Sequence, residues 1–290
     1  MILGRSVLGD YYGSKYERHP QKDENIVREE IKTARSSKRF KITDDSILTF
    51  ATAKWLLEDG EHSPESLVTI YKDFFRRHHS YYGSSFKRWA NSDNAEPYNS
   101  FGNGSAMRVS PVGWYATSLD ETLRLAKITA EVTHNHPEGI MGAQATAAVI
   151  YLQRVNYDKE SICDYIAETF GYDLSRTYEQ VKATYKFYST CQKTVPEAII
   201  TWRDFAPDGE NHDGKTPTYM DTIIKAIALG GDADTLGCIT GSMCVFDFNN
   251  LVADNLLHDI CPKEFIGIGL SFDSLVAQRK KLIDYDKEEI

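Results

Sequence analysis

Two short acidic clusters stand far apart in the chain: Thr43-Asp44-Asp45, and Gly230-Gly231 followed by Asp232, Asp234 and Thr235. No basic residue lies inside either. Brought together they offer four carboxylates and two hydroxyls, all hard oxygen donors suited to one or two Mg²⁺ or Mn²⁺ ions. Without cations the carboxylates would repel one another, and some would have to protonate. A simpler role competes at the first cluster, where Thr43 is a good helix N-cap and Asp44 and Asp45 would complement the helix dipole. The second cluster is harder to read that way. Residues two apart do not share a helix face, so Asp232 and Asp234 converge only if the backbone turns, as Gly230-Gly231 permits. A calcium-loop reading fails, because Met243 stands where the closing Glu should fall.

Three further segments carry chemically useful residues. Gly9 to Glu17 adds Asp10 and Glu17, seven residues apart or about two helical turns, with glycines that permit close backbone approach. Phe101 to Arg108 is a glycine-bracketed turn leading into an apolar segment, and its amides could cradle a phosphate. Thr133-His134-Asn135-His136-Pro137 places two histidines just before a helix start. The His-Asn-His string invites a nuclease reading, which the acidic chain argues against. His134 could donate to a phosphate or cap the following helix.

Elements that could position these groups are mostly helical. Ser46 to Leu57 follows the Thr43 cap, and Ser63-Pro64 opens a helix with Pro at its first position. Leu119 to Val132 is amphipathic. Pro137 to Val155 carries small residues all round, as a closely packed central helix requires. Ser161 to Phe170, Val195 to Phe205, Tyr219 to Leu229 and Leu236 to Phe246 read as helices, and strand-like alternation is nearly absent. Ser80 to Gly104 and Ala206 to Pro217 are polar loops of a length usually tied to function or mobility. The expectation is one all-helical domain over residues 1–290, with metal ligands delivered from helix starts.

Composition sets limits. The 290 residues are 41% hydrophobic and 26% charged with a net charge of -9, so a globular core is expected and nucleic acid is an unlikely partner. The compact basic stretch Arg76-Arg77-His78-His79 reads as a solvated helix end. Five scattered cysteines, never in a Cys-x-x-Cys pair, read as reduced thiols in a cytoplasmic protein. The first residues make no signal peptide, and the uncharged stretch Gly139 to Gln153 is too short to span a bilayer. No membrane association is expected.

Taken in order, the motifs resemble the ADP-ribosylglycohydrolases, typified by the dinitrogenase reductase-activating glycohydrolase and the ADP-ribosylarginine and ADP-ribosylserine hydrolases. The resemblance runs from Gly4 to Gly241. It rests on Gly-Asp-x-x-Gly-x-x-x-Glu (Gly9 to Glu17), Thr-Asp-Asp-Ser (Thr43 to Ser46), Gly-Asn-Gly-Ser-Ala-Met-Arg (Gly102 to Arg108), Thr133-His134, and Gly-Gly-Asp-x-Asp-Thr (Gly230 to Thr235). It implies an orthogonal all-helical bundle with two Mg²⁺ or Mn²⁺ ions. Thr43, Asp44, Asp45, Asp232, Asp234 and Thr235 match the metal ligands, with Asp234 bridging. Glu17 matches a flexible-loop acid that reaches the ribose or a metal. Asn99, Ser100, Phe101, Gly102, Asn103 and Gly104 match the diphosphate loop, and His134 a phosphate contact. Ala233 and Ser46 stand where Thr is frequent, and Met243 to Phe248 is bulkier and more acidic than the usual ending.

The implied activity is hydrolysis of an N- or O-glycosidic bond between ADP-ribose and a protein side chain or small acceptor, by a monomer. Glu17 or Asp232 would manage the protons. A non-catalytic ADP-ribose binder and a di-metal phosphoesterase are the alternatives.

Overall fold

The computed structural model describes residues 1–94, 96–208, 217–246 and 250–283. Among these no β-strand forms, and an isolated bridge joins Gly102 to Thr190. Among the described residues nearly all buried apolar side chains make one contiguous core. All five cysteines are buried thiols outside any disulfide, packed as small residues. No described helix is long and apolar enough to cross a membrane.

The pairing that matters most for the site joins the helix Gly4–Gly13 to the helix Ala233–Met243. Both carry glycines four residues apart, Gly9 and Gly13 on one, Gly237 and Gly241 on the other. A Cβ on Gly9 would lie 2.0 Å from the Gly237 carbonyl oxygen, and one on Gly13 would lie 2.1 Å from that of Ala233. The helices therefore touch backbone to backbone, which any side chain at these points would forbid. This contact brings residues at opposite ends of the sequence into one site.

Pro137–Arg154 is the central helix, buried along nearly its whole length. Its small residues admit close neighbours: a Cβ on Gly142 would sit 2.4 Å from Cys191 Sγ at the head of the helix Cys191–Phe205. The helices Leu119–Glu131 and Ser110–Tyr115 also pack against it. Asp44–Glu58 is flanked by Pro64–Arg77, whose Ser63 cap accepts from Ser66 N, and by Lys263–Arg279. Phe265 of the last helix stacks on Phe50 at 4.6 Å between ring centres, and Arg77 pairs with Glu264 at 2.6 Å.

Most of the expected helices form within a few residues of their predicted ends. The one expected over Leu236 to Phe246 instead spans Ala233–Met243, so Asp232 becomes its leading residue and Asp234 enters its first turn. The polar stretch Ser80 to Gly104 contains an unforeseen short helix, Ser84–Ala90, which buries Phe86 and Trp89. Asp10 and Glu17 do not lie two turns apart on one helix. That helix stops at Gly13, and Tyr16 N turns back to the Gly13 carbonyl at 2.8 Å. Residues 209–216 of the second expected loop, and Asp247 and Phe248, lie outside the described residues.

Candidate active site

The first acidic cluster starts a helix, as its capping signal predicts. Thr43 caps Asp44–Glu58, its hydroxyl accepting from Asp45 N at 3.3 Å. Capping does not exclude the chemical role, because the same turn is gripped from below by Asp10, which is fully buried. The Asp10 carboxylate accepts from Thr43 N at 2.8 Å, Thr43 Oγ1 at 2.8 Å, Ser46 N at 3.1 Å and the Ser46 hydroxyl. Burial pushes its pKa up to about 6, although those four donors favour the charged form. With both oxygens so occupied, Asp10 orients the turn that carries Asp44 and Asp45.

The second cluster turns as the glycines allow, with Gly230 at φ +77°. Asp232 precedes the helix, and one oxygen of Asp234 accepts from Thr235 N at 3.0 Å. Asp232 Oδ2 accepts from Asn103 Nδ2 at 2.8 Å, and the same amide lies 3.2 Å from Thr194 Oγ1.

These elements converge on a compact set of oxygens. One oxygen each from Asp10, Asp45 and Asp234 lie within 4.8 Å of one another, as do one each from Glu17, Asp232 and Asp234. Asp234 belongs to both groups. Burial, followed by mutual repulsion, raises Asp45 and Asp234 well above the ordinary carboxylate range. Asp44 is pushed up to about 7 by burial, although Ser80 Oγ lies 3.3 Å from its Oδ1, and burial also raises Asp232. Asp45 Oδ1 is buried without a hydrogen-bond partner. A buried acceptor left open among crowded carboxylates is costly unless a cation completes it. The donor set is all oxygen and fits Mg²⁺ or Mn²⁺.

The carboxylates form one end of a cleft of about 420 Å³ that also has Ser100, Gly102, Asn103, Gly104 and His134 in its walls. Asn99 and Phe101 stand outside those walls. Asn99, at φ +51°, donates its amide to Asn135 Oδ1 at 2.7 Å, and the Phe101 ring lies 5.3 Å from that of His136. Thr43 is buried beneath the cleft, turned toward Asp10 and Asp45. Part of the glycine loop's amide set is already engaged: Gly102 N donates to Ser100 Oγ at 3.1 Å and Asn103 N to the Ser189 carbonyl at 3.0 Å.

His134 supplies a donor the loop can use. Arg108 donates to Thr133 Oγ1 at 2.6 Å, and that hydroxyl meets His134 Nδ1 at 2.7 Å. Burial and the nearby Arg108 push His134 far below its usual pKa, so its ring is neutral. If the hydroxyl accepts from Arg108 and gives its own hydrogen to Nδ1, the ring proton sits on Nε2. A Cβ on Gly104 would be 3.2 Å from that nitrogen, so Nε2–H faces the glycine loop.

Sequence reasoning placed Asp10 in the right motif without seeing that it clamps the Thr43 turn. Its signal was a buried-type neighbourhood, Leu8-Gly9-Asp10-Tyr11-Tyr12, around a lone acid. Arg108 likewise sat in a motif, with its path to His134 unseen.

An all-helical scaffold with clustered carboxylates facing a glycine loop defines the class, and comparison with known proteins agrees. A sequence model of the ADP-ribosylglycohydrolase family matches residues 1–244. The chain belongs to the ADP-ribosylglycohydrolase family. It is similar to ADP-ribosylhydrolase ARH3 of Homo sapiens, at 24% identity over 83% of this chain and 82% of that protein. The ARH3 of Mus musculus is 23% identical over 83% and 81%. Among solved structures, a chain of an "ADP-ribosylglycohydrolase-related protein complex" shares the fold with a TM-score of 0.68 at 21% identity, covering 95% of this chain and 96% of that one. The family match ends near the point where the last helices, Asn250–Ile260 and Lys263–Arg279, begin to cover the core.

Proposed function

We propose that this protein hydrolyses the glycosidic bond joining ADP-ribose to a protein side chain or small acceptor, using two divalent cations, Mg²⁺ or Mn²⁺. The observation that carries this reading is the convergence of Asp45, Asp232, Asp234 and Glu17 at one end of a cleft whose other walls are the glycine loop and His134. Thr43, Asp44, Asp45, Asp232, Asp234 and Thr235 would hold the cations, with Asp234 common to both. When bound, such ions supply Lewis acidity and lower the pKa of a nearby water.

The remaining work falls to the chain's own groups. Asp10 fixes the Thr43–Ser46 turn, and Asn103 fixes Asp232. His134 Nε2–H and Ser100 bind the diphosphate, which orients the distal ribose toward the carboxylates. Glu17 or Asp232 takes a proton from the water that attacks the anomeric carbon, the glycosidic bond breaks as positive charge builds there, and the departing acceptor atom picks up a proton. The buried setting strengthens each of these interactions.

Product analysis tests the reading. Purified protein with Mg²⁺ is given arginine-, serine- and other mono-ADP-ribosylated substrates, and the products are separated. Free ADP-ribose is expected, lost on EDTA treatment and restored by Mg²⁺ or Mn²⁺. AMP plus ribose phosphate would mark a phosphoesterase. Tight ADP-ribose binding with no turnover of any conjugate would mark a binder.

A further inference from the structure

A second cavity of about 580 Å³ adjoins the cleft, and Glu17 and Tyr81 stand in the walls of both. Its charge runs against that of the chain as a whole. Lys15, Arg18, Arg39 and Lys41 line it, opposed by Glu17 and Glu30 alone, in a protein of net charge -9. Lys15 already pairs with Glu30 at 2.5 Å, and Arg18 has only a loose approach of 4.0 Å to Glu17. Arg39 and Lys41 have no carboxylate at ion-pair distance among the described residues. Lys41 is instead held over the exposed Tyr81 ring at 4.0 Å, with Arg18 over the same ring at 4.8 Å. Cations over an aromatic face keep their charge available to a further anion.

Position gives this pocket a role. A substrate with its diphosphate at the glycine loop and its anomeric carbon at the carboxylates points the departing group past Glu17. The departing group and its surroundings therefore meet the cationic walls. We propose that this pocket receives acidic side chains flanking the modified residue of a protein substrate, so that the enzyme prefers acceptors set in Asp/Glu-rich segments. Lys41 and Arg39 are the specificity determinants, with Arg18 in support. A nucleic acid fits less well. The overall negative charge repels a long polyanion, and the Tyr81 ring that would stack on a base is already engaged by two cations. Complementary charge at an open rim acts mainly on encounter and selection between partners, and it weakens with salt.

The inference rests on the hydrolase reading, and the experiment separates the two. Three mono-ADP-ribosylated peptides share one acceptor and differ only in flanks: Asp/Glu, Asn/Gln or Lys. Each is assayed for kcat/KM at low and high salt, and for Kd by fluorescence anisotropy at low temperature, with wild type and the Arg39→Gln/Lys41→Gln double variant. Wild type is expected to favour the acidic over the neutral flank by about tenfold at low salt, the scale of a few partly screened charge contacts. The double variant should reduce that ratio below about threefold and leave the neutral peptide within about twofold. Both positions are exposed, so the fold should be unaffected by circular dichroism. Absence of turnover with a flank preference in Kd that the double variant removes would sink the hydrolase reading and keep the pocket. Equal kcat/KM and Kd for all three flanks would overturn the pocket, whatever the turnover. A mono-ADP-ribosylated oligonucleotide that loses more than the acidic peptide in the double variant would overturn the peptide assignment in favour of phosphates.

Discussion

Asp10 is the most exacting test of how the site is built, because it should affect the metal without binding substrate. In Asp10→Asn one oxygen survives as an acceptor, and the amide nitrogen replaces the other. Oδ2 takes three of the four hydrogen bonds from Thr43 and Ser46, so an amide that keeps its oxygen in that place loses the one from the Thr43 hydroxyl. At roughly 1.5–3 kcal/mol for a charge-assisted bond, that loss is about 1.5–3 kcal/mol. Against this, the substitution removes a buried charge whose pKa stands near 6 rather than 3.8, a relief of roughly 3 kcal/mol. In EDTA the two nearly offset, so stability should change by no more than about 1.5 kcal/mol. With metal the balance changes. The misaligned turn moves Asp44 and Asp45, and one negative charge is gone from the cluster. Mg²⁺ affinity should fall by at least tenfold, which removes about 1.4 kcal/mol from the stabilisation that Mg²⁺ well above both dissociation constants gives to wild type. Urea unfolding with and without Mg²⁺ reads both quantities. Equal Mg²⁺-dependent shifts in midpoint for wild type and variant, with equal turnover, would refute the clamp.

Other consequences are simpler to measure. Asp44→Asn and Asp234→Asn each replace a charged donor by a neutral amide of similar volume and should lower turnover at least a hundredfold with helical circular dichroism intact; near-wild-type rates would return these carboxylates to plain helix-start residues. Glu17→Gln should lower kcat strongly while ADP-ribose affinity by calorimetry stays within about tenfold, roughly 1.4 kcal/mol, whereas lost affinity at saturating Mg²⁺ would recast Glu17 as a metal ligand. In EDTA, thermal stability should fall as pH rises from about 4 to 7. Asp10 and Asp44 hold their protons to about 6 and 7 in the folded chain, so the folded state binds more protons than the unfolded one across that window. Mg²⁺ should flatten the decline, and a midpoint that climbs with pH in EDTA would reverse the assignment. Gly237→Ala places a Cβ 2.4 Å from the Gly9 carbonyl oxygen and should cost about 1–3 kcal/mol in urea unfolding; no loss would mean the two helices can part without penalty.

The local features of this chain were legible in its sequence. Thr43 and Ser63 cap helices because a side-chain oxygen can reach an amide two or three residues on, an interaction contained within a few neighbouring residues. Pro64 and Pro137 open helices for an equally local reason. The two acidic clusters stood out because several carboxylates and a hydroxyl fall within four residues. What lay beyond the sequence depends on approach between distant segments. The Ser84–Ala90 helix is too short and polar to announce itself, and packing of Phe86 against Trp89 and Tyr82 sustains it. Asp10 reads as a surface acid until Gly9 and Gly237 meet and bury it under the Thr43 turn. The cationic pocket draws on residues 15, 18, 39, 41 and 81, and no short window contains enough of them to show a patch. Side-chain chemistry and capping are properties of neighbours in the chain, whereas burial and electrostatic crowding are properties of neighbours in space, and only the folded helices decide who those are.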